Sequence, residues 1–193
     1  MRIHSLIALA AVLAVSIGLA APAARAAPAA WTVDKAASRL GFKSSFQGMD
    51  FEGSFRRWDA DIAFDPKALD ASSATVSIDI ASAATGAPER DDAMPGPDWF
   101  DVTHFPRASF VTKSFKSLGG DRYQADGVLT LRGVSKPVTL PFTLTIAGDV
   151  AKMTGEVPID RSAFGVGQGQ WASPESVPLP VTVTVSITAN RAK

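Results

Sequence analysis

The stretch "VSKPVTLPFTLTI", Val134 to Ile146, decides how this chain folds. Val138, Leu140, Phe142, Leu144 and Ile146 alternate with Thr139, Pro141, Thr143 and Thr145. A period of two is that of a β-strand with one apolar and one wet face. The same alternation appears in both directions along the chain. "RLGFKSSF" sets Leu40, Phe42, Ser44 and Phe46 on one face. "SATVSIDI" alternates Ala74, Val76, Ile78 and Ile80 against Thr75, Ser77 and Asp79. "VPLPVTVTVSITA" places Leu179, Val181, Val183, Val185 and Ile187 opposite Thr182, Thr184, Ser186 and Thr188.

Phe51 to Phe64 changes parity midway. Phe51, Gly53 and Phe55 share one parity, and Trp58, Ala60, Ile62 and Phe64 the other. A one-residue slip would turn the whole apolar set outward. A bend or bulge near Arg56–Arg57 must absorb it, or two strands meet there. One long, bent strand is the favoured reading, because no turn residues separate the halves. Tight turns are expected at Gly119-Gly120-Asp121, at Gly133 to Pro137 and at Gly148-Asp149. About eight or nine antiparallel strands joined in this way form a meander that closes into a barrel or stacks as a sandwich.

Two regions break the pattern. Ser82 to Pro106 is a long connection rich in Asp, Pro and Gly, with helical turns expected near Glu89–Ala93 and Asp98–Asp101. Its end, "DWFDVTHFPRASF", gathers Trp99, Phe100, Phe105 and Phe110 around His104. Arg161 to Val177 contains "FGVGQGQWASPES", too rich in glycine for a regular strand. Long ordered loops in compact domains are usually functional.

The first residues read as targeting sequence. Arg2 precedes an apolar run from Leu6 to Ala20, and Ala24-Arg25-Ala26 fits a small-x-small cleavage site. The run is shorter than the ~20 residues of a spanning helix. Residues 1–26 are therefore expected to be a cleaved signal peptide, with 27–193 a single domain, Ala27 to Ala30 a flexible tail, and the periplasm the destination. Removing Arg2 and Arg25 from nineteen basic residues leaves seventeen against nineteen acidic ones, a net charge of −2. A near-neutral chain without a basic run argues against a nucleic-acid partner. The chain has no cysteine, so no disulfide framework, thiolate metal site or cysteine nucleophile.

Candidate chemistry is sparse. Of two histidines, His4 falls in the leader, leaving His104. No G-x-S-x-G elbow accompanies it, and one histidine without cysteines does not make a transition-metal site. Asp91, Asp92, Asp98 and Asp101 lack the rhythm of a calcium loop and suit capping of loop amides. "GVGQGQ", Gly165 to Gln170, lacks the Lys-Ser/Thr of a phosphate loop, because Trp171 follows. It suits a bend where backbone packs closely. A barrel of about eight strands is just wide enough for one small ligand, and the aromatic loop would close one end.

Five segments in order carry a resemblance. They are "WTVDKAASRLGF", "FEGSFRRWDADIAFDP", "ATVSIDIASAATGAPERDD", "DWFDVTHFPRASF" and "DGVLTLRGVSKPVTLPF". Together they resemble the YceI-like family of periplasmic polyisoprenoid- or lipid-binding proteins, from about Trp31 to Ala189. The resemblance implies an all-β, antiparallel, up-and-down, lipocalin-like extended barrel with a short helical loop and an apolar tunnel. It implies a non-catalytic protein without cofactor that binds an amphiphile with an isoprenoid tail, a quinone or polyprenyl phosphate, or else a fatty amide or acid. Some relatives are linked with membrane b-type cytochromes, which gives a partner suited to quinone handling; whether the barrel forms a homodimer is left undecided. Many members carry a histidine late in the strand that begins at Phe42, whereas here "KSSFQGMDFEG" has none.

Strand parity and the aromatic loop then give the expected lining: Phe42, Phe51, Phe55, Ile78, Trp99, Phe100, Phe110, Leu129 and Phe142. Ser45 and Arg90 are the expected contacts to a polar head. The rivals are a hydrolase using Asp91 or Asp92 with His104, and a β-sandwich interaction module with a solid interior.

Overall fold

A computed structural model describes residues 27–193. The expected signal peptide, 1–26, lies outside the described residues. Eleven strands follow in order: β1 (Ala30–Val33), β2 (Arg39–Phe46), β3 (Met49–Phe55), β4 (Trp58–Ala63), β5 (Ser73–Asp79), β6 (Ala83–Ala84), β7 (Arg107–Gly119), β8 (Arg122–Leu131), β9 (Val134–Ala147), β10 (Val150–Asp160) and β11 (Pro180–Arg191). One short helix, α1 (Pro88–Ala93), lies between β6 and β7.

All pairings are antiparallel, and the sheet closes on itself through β1–β4–β5–β7–β8–β9–β10–β11 and back to β1. This is an eight-stranded closed barrel, as the resemblance led us to expect. Closure leaves no exposed edge along that ring, so its interior ladder groups are paired. β2, β3 and β6 prolong three of its strands. β11 pairs with β1 through Ala189–Arg191 and with β2 through Thr182–Ser186, so β1 and β2 lie end to end on one edge. β3 continues into β4 across Arg56–Arg57, and β5 into β6 across Ile80–Ser82. Three neighbouring strands therefore kink side by side.

The kinks explain the parity change. Phe51, Gly53 and Phe55 face inward before Arg56–Arg57, and Trp58, Ala60 and Ile62 after it. The bend at Arg56–Arg57 absorbs the slip, but it separates two strands with different partners, β3 on β2 and β6, and β4 on β1 and β5, so the favoured single long strand is corrected. A second slip was not foreseen: β7 bulges between Thr112 and Ser114, moving its inward set from Ala108, Phe110 and Thr112 to Phe115.

Serines pin the kinks. Buried Ser82 Oγ accepts from the Arg57 amide at 3.0 Å and donates to the Asp79 carbonyl at 2.6 Å. The Arg57 guanidinium bonds Asp79 at 2.8 Å and holds its carboxyl below the usual carboxylate range. Ser38 Oγ accepts from the Thr188 amide at 3.0 Å and donates to the Thr188 carbonyl at 3.2 Å. These hydroxyls stand in where the ladder is broken.

Three local expectations need correction. Ala30 opens β1 and the Ala29 carbonyl accepts from the Phe64 amide at 2.9 Å, so the expected tail is tied down from Ala29 onward. Asp98–Asp101 forms turns rather than helix, since Pro95, Gly96 and Pro97 prevent a regular ladder. The turn expected across Gly133–Pro137 is only Arg132–Gly133, because β9 already begins at Val134.

The far end of the barrel is filled with rings. Phe64 meets Phe115 at 5.1 Å and Tyr123 at 5.8 Å edge-on, and Tyr123 stacks on Phe142 at 5.6 Å. Such pairs contribute about 0.5–1.5 kcal/mol each beyond area burial, and they form a floor.

Ser82→Ala strips the Arg57 amide and the Asp79 carbonyl of one buried partner. It is expected to destabilise the fold by about 1–3 kcal/mol, measured as a lowered urea midpoint with unchanged slope. An unchanged midpoint would mean that the kink is held by other contacts.

Candidate functional site

Above the aromatic floor the barrel encloses a cavity of about 700 Å³, within the range of small-molecule sites. Each strand supplies the inward parity that its sequence dictates. β9 gives Val138, Leu140, Phe142, Leu144 and Ile146, and β11 gives Val181, Val183, Val185, Ile187 and Ala189. Among the lining residues only Ser44, Glu89, Arg90, Thr112 and Arg161 are polar.

All nine residues expected from parity and the aromatic loop line this cavity: Phe42, Phe51, Phe55, Ile78, Trp99, Phe100, Phe110, Leu129 and Phe142. Gly53 lies beneath the Phe42 ring, where a Cβ would come within 2.2 Å of it; the missing side chain lets the ring lie flat on the wall. Of the two expected polar residues, Arg90 lines the cavity and Ser45 does not. Ser45 shares its face of β2 with Lys43, while Ser44 shares the inward face with Phe42 and Phe46. The correction follows from the period of two.

One end is capped by two loops, 85–106 and 161–179, stitched together. The Gly167 and Gln168 amides both donate to the Asp98 carbonyl, at 2.8 and 2.7 Å. Trp99 packs on Trp171 at 5.6 Å, Trp171 on Phe46 at 6.3 Å and Phe100 on Phe55 at 6.2 Å. Exposed Pro88, Glu89 and Ala93 of α1 belong to the lining, so the cavity reaches solvent beside this helix.

Two arginines hold the cap, and the sequence reading named neither. Arg161, 3% exposed, donates to the carbonyls of Pro178, Val166, Gly167, Trp171 and Val177 at 2.6–3.1 Å. Among the described residues no carboxylate pairs with it, and burial lowers its pKa against the opposing pull of Asp160. Its guanidinium fills the space beside Gly167, where a Cβ would sit 2.0 Å from Nη1. Arg132, at the left-handed φ of 49°, donates to the carbonyls of Trp99, Gly165 and Pro97 at 2.6–2.7 Å. Nothing local in "DRSAF" or "LRGV" marks these arginines; their acceptors lie in other segments.

The groups weighed for catalysis lie elsewhere. The His104 side chain is 73% exposed and bonds Asp101 at 2.8 Å, outside the cavity lining. Asp91 accepts from the Thr85 amide and hydroxyl and the Gly86 amide at 2.6–3.1 Å. Burial would raise its pKa, but these bonds outweigh it and hold the carboxyl low. Among the described residues, no group of three His, Cys, Asp or Glu side chains is placed to hold a metal ion, and no helix is long and apolar enough to cross a membrane.

Arg161→Leu leaves several carbonyls of the cap without a donor. It should cost about 3 kcal/mol or more and expose residues 161–179 to fast hydrogen exchange while β7–β10 stay protected. Uniform protection across the cap would contradict the role given to Arg161.

Comparison with known proteins agrees with this architecture. The YceI-like domain matches residues 31–189. A UPF0312 protein of Pseudomonas syringae pv. tomato is 31% identical over 179 residues, covering 88% of this chain and 93% of its own length. The crystal structure of Burkholderia cenocepacia BcnA superposes with a TM-score of 0.79 at 36% identity, over 82% of this chain and 99% of that one. A polyisoprenoid binding domain from Saccharophagus degradans, implicated in plant cell wall breakdown, shares the fold with a TM-score of 0.67 at 17% identity, over 85% of this chain and 99% of that one. The chain belongs to the YceI-like family.

Proposed function

We propose that this protein is a carrier for an amphiphilic isoprenoid lipid, of the quinone or polyprenyl phosphate type, and that it performs no chemistry on its cargo. The observation that carries the reading is the cavity of about 700 Å³, whose lining is apolar in all but five residues. An apolar tail entering it leaves water at about 25 cal/mol per Å² of buried area. Each isoprene unit then contributes roughly 1–3 kcal/mol before the costs of ordering. A branched, unsaturated chain suits walls built of valine, leucine and phenylalanine. The polyisoprenoid binding domain of Saccharophagus degradans has the same fold, which supports the same class of cargo.

The rival hydrolase has little support. His104 lies on the outside and Asp91 spends both carboxylate oxygens on Thr85 and Gly86. Taken with the leader-like first 26 residues, the reading places the carrier in the periplasm. There it would move a water-insoluble molecule between membranes or membrane proteins, a b-type cytochrome among them.

Phe110→Asp puts a carboxylate into the lining opposite Leu129. Protein purified from its own host should lose its organic-extractable lipid, with a far-ultraviolet spectrum that remains that of a β-barrel. A folded variant that retains the wild-type lipid content would overturn the proposed cargo site. Leu129→Ser, a milder change on the same wall, should reduce the lipid content in the same direction.

A further inference from the structure

Among the described residues one buried side-chain polar atom has no hydrogen-bond partner, and it is Ser44 Oγ. It lies in the cavity lining. The other lining hydroxyl, Thr112, is satisfied: it accepts from the Ala74 amide at 2.8 Å and donates to the Ala74 carbonyl at 3.1 Å. An orphaned buried hydroxyl is costly and calls for a cause. Across the β2–β3 ladder Ser44 faces Phe51, and the Arg90 guanidinium lies 4.6 Å over the Phe51 ring. Arg90 also lines the cavity, and among the described residues its guanidinium makes one hydrogen bond, from Nε to Thr85 Oγ1 at 3.3 Å. A hydroxyl and a guanidinium with donors to spare thus flank one aromatic ring, next to the opening at α1.

Resting on the carrier reading, we infer that Ser44 and Arg90 form the headgroup site, and that the head is a neutral group presenting carbonyl oxygens, as a quinone, amide or ester does, rather than a phosphate. Arg90 can only donate and Ser44 has an O–H to give, so a head with acceptor oxygens satisfies both. Charge then decides between the acceptors. Glu89 lies in the lining beside Arg90, and Asp91 and Asp92 extend the same helix. Arg56 and Arg57 lie outside the lining, Arg57 being paired with Asp79, and Arg161 spends its donors on six carbonyls of the cap. One available cation beside one carboxylate does not neutralise the two or more charges of a diphosphate leaving water. It does suffice for a carbonyl oxygen, which needs only a donor.

The test uses delipidated full-length protein and two probes with the same tail, a geranylgeranyl benzoquinone and geranylgeranyl diphosphate, titrated by calorimetry. The wild type should bind the quinone more tightly than the diphosphate. Ser44→Ala and Arg90→Gln should each weaken quinone binding roughly two- to tenfold, the range of one hydrogen bond, with little change for the diphosphate. Diphosphate binding equal to or tighter than that of the quinone, or quinone binding unaltered in both variants, would overturn the headgroup assignment and leave the carrier reading standing. If the wild type binds neither probe, the carrier reading itself falls. Arg90 sits on the surface helix, so its variant remains informative if Ser44→Ala folds poorly.

Discussion

The structure depends on the line of kinks that crosses three neighbouring strands. A straight eight-stranded barrel of this sequence would turn either Phe51–Phe55 or Trp58–Ile62 to solvent, because the two sets differ in parity. The bend at Arg56–Arg57 removes that conflict, but it breaks the ladder on both sides. The neighbours must break at the same level, and they do, between β1 and β2 and between β5 and β6. Ser38 and Ser82 then supply the lost hydrogen bonds from side chains. Three interruptions that would each weaken a sheet alone become one bent wall.

The two ends of the barrel follow from that wall. Below the kinks, β1 and β4 complete a ring tight enough for Phe64, Phe115, Tyr123 and Phe142 to fill it. Above them, β2 and β3 carry Phe42, Phe51 and Phe55 past the rim, and the two loops close over the gap. The cap is polar inside and apolar beneath: Arg132 and Arg161 satisfy its carbonyls, while Trp99, Phe100 and Trp171 face the cavity. That division keeps backbone that belongs to no sheet hydrogen-bonded above an apolar chamber.

Much of this was legible in the residues. Alternation gave the strands, and a parity change within one unbroken run gave the bend. The nine apolar lining residues followed from the same alternation plus an aromatic-rich loop. The closure of the sheet, as opposed to a sandwich, was not legible from the period, which both share; the resemblance supplied it. Ser45 was misplaced although the alternation already put Ser44 with Phe42 and Phe46. The bulge at Lys113 was missed because "FVTKSF" reads equally well in either parity. The cap arginines were missed for a different reason. Arg161 is one basic residue among nineteen, and its acceptors become neighbours only after the chain folds.

The account stands on the cavity holding a lipid in the living cell. Native mass spectrometry of the protein purified without detergent from its own host tests this most directly. The account predicts a mass above that of the bare chain, with the excess extractable into organic solvent and bearing an isoprenoid tail. A bare chain that also refuses added prenylated quinones and polyprenols would contradict it.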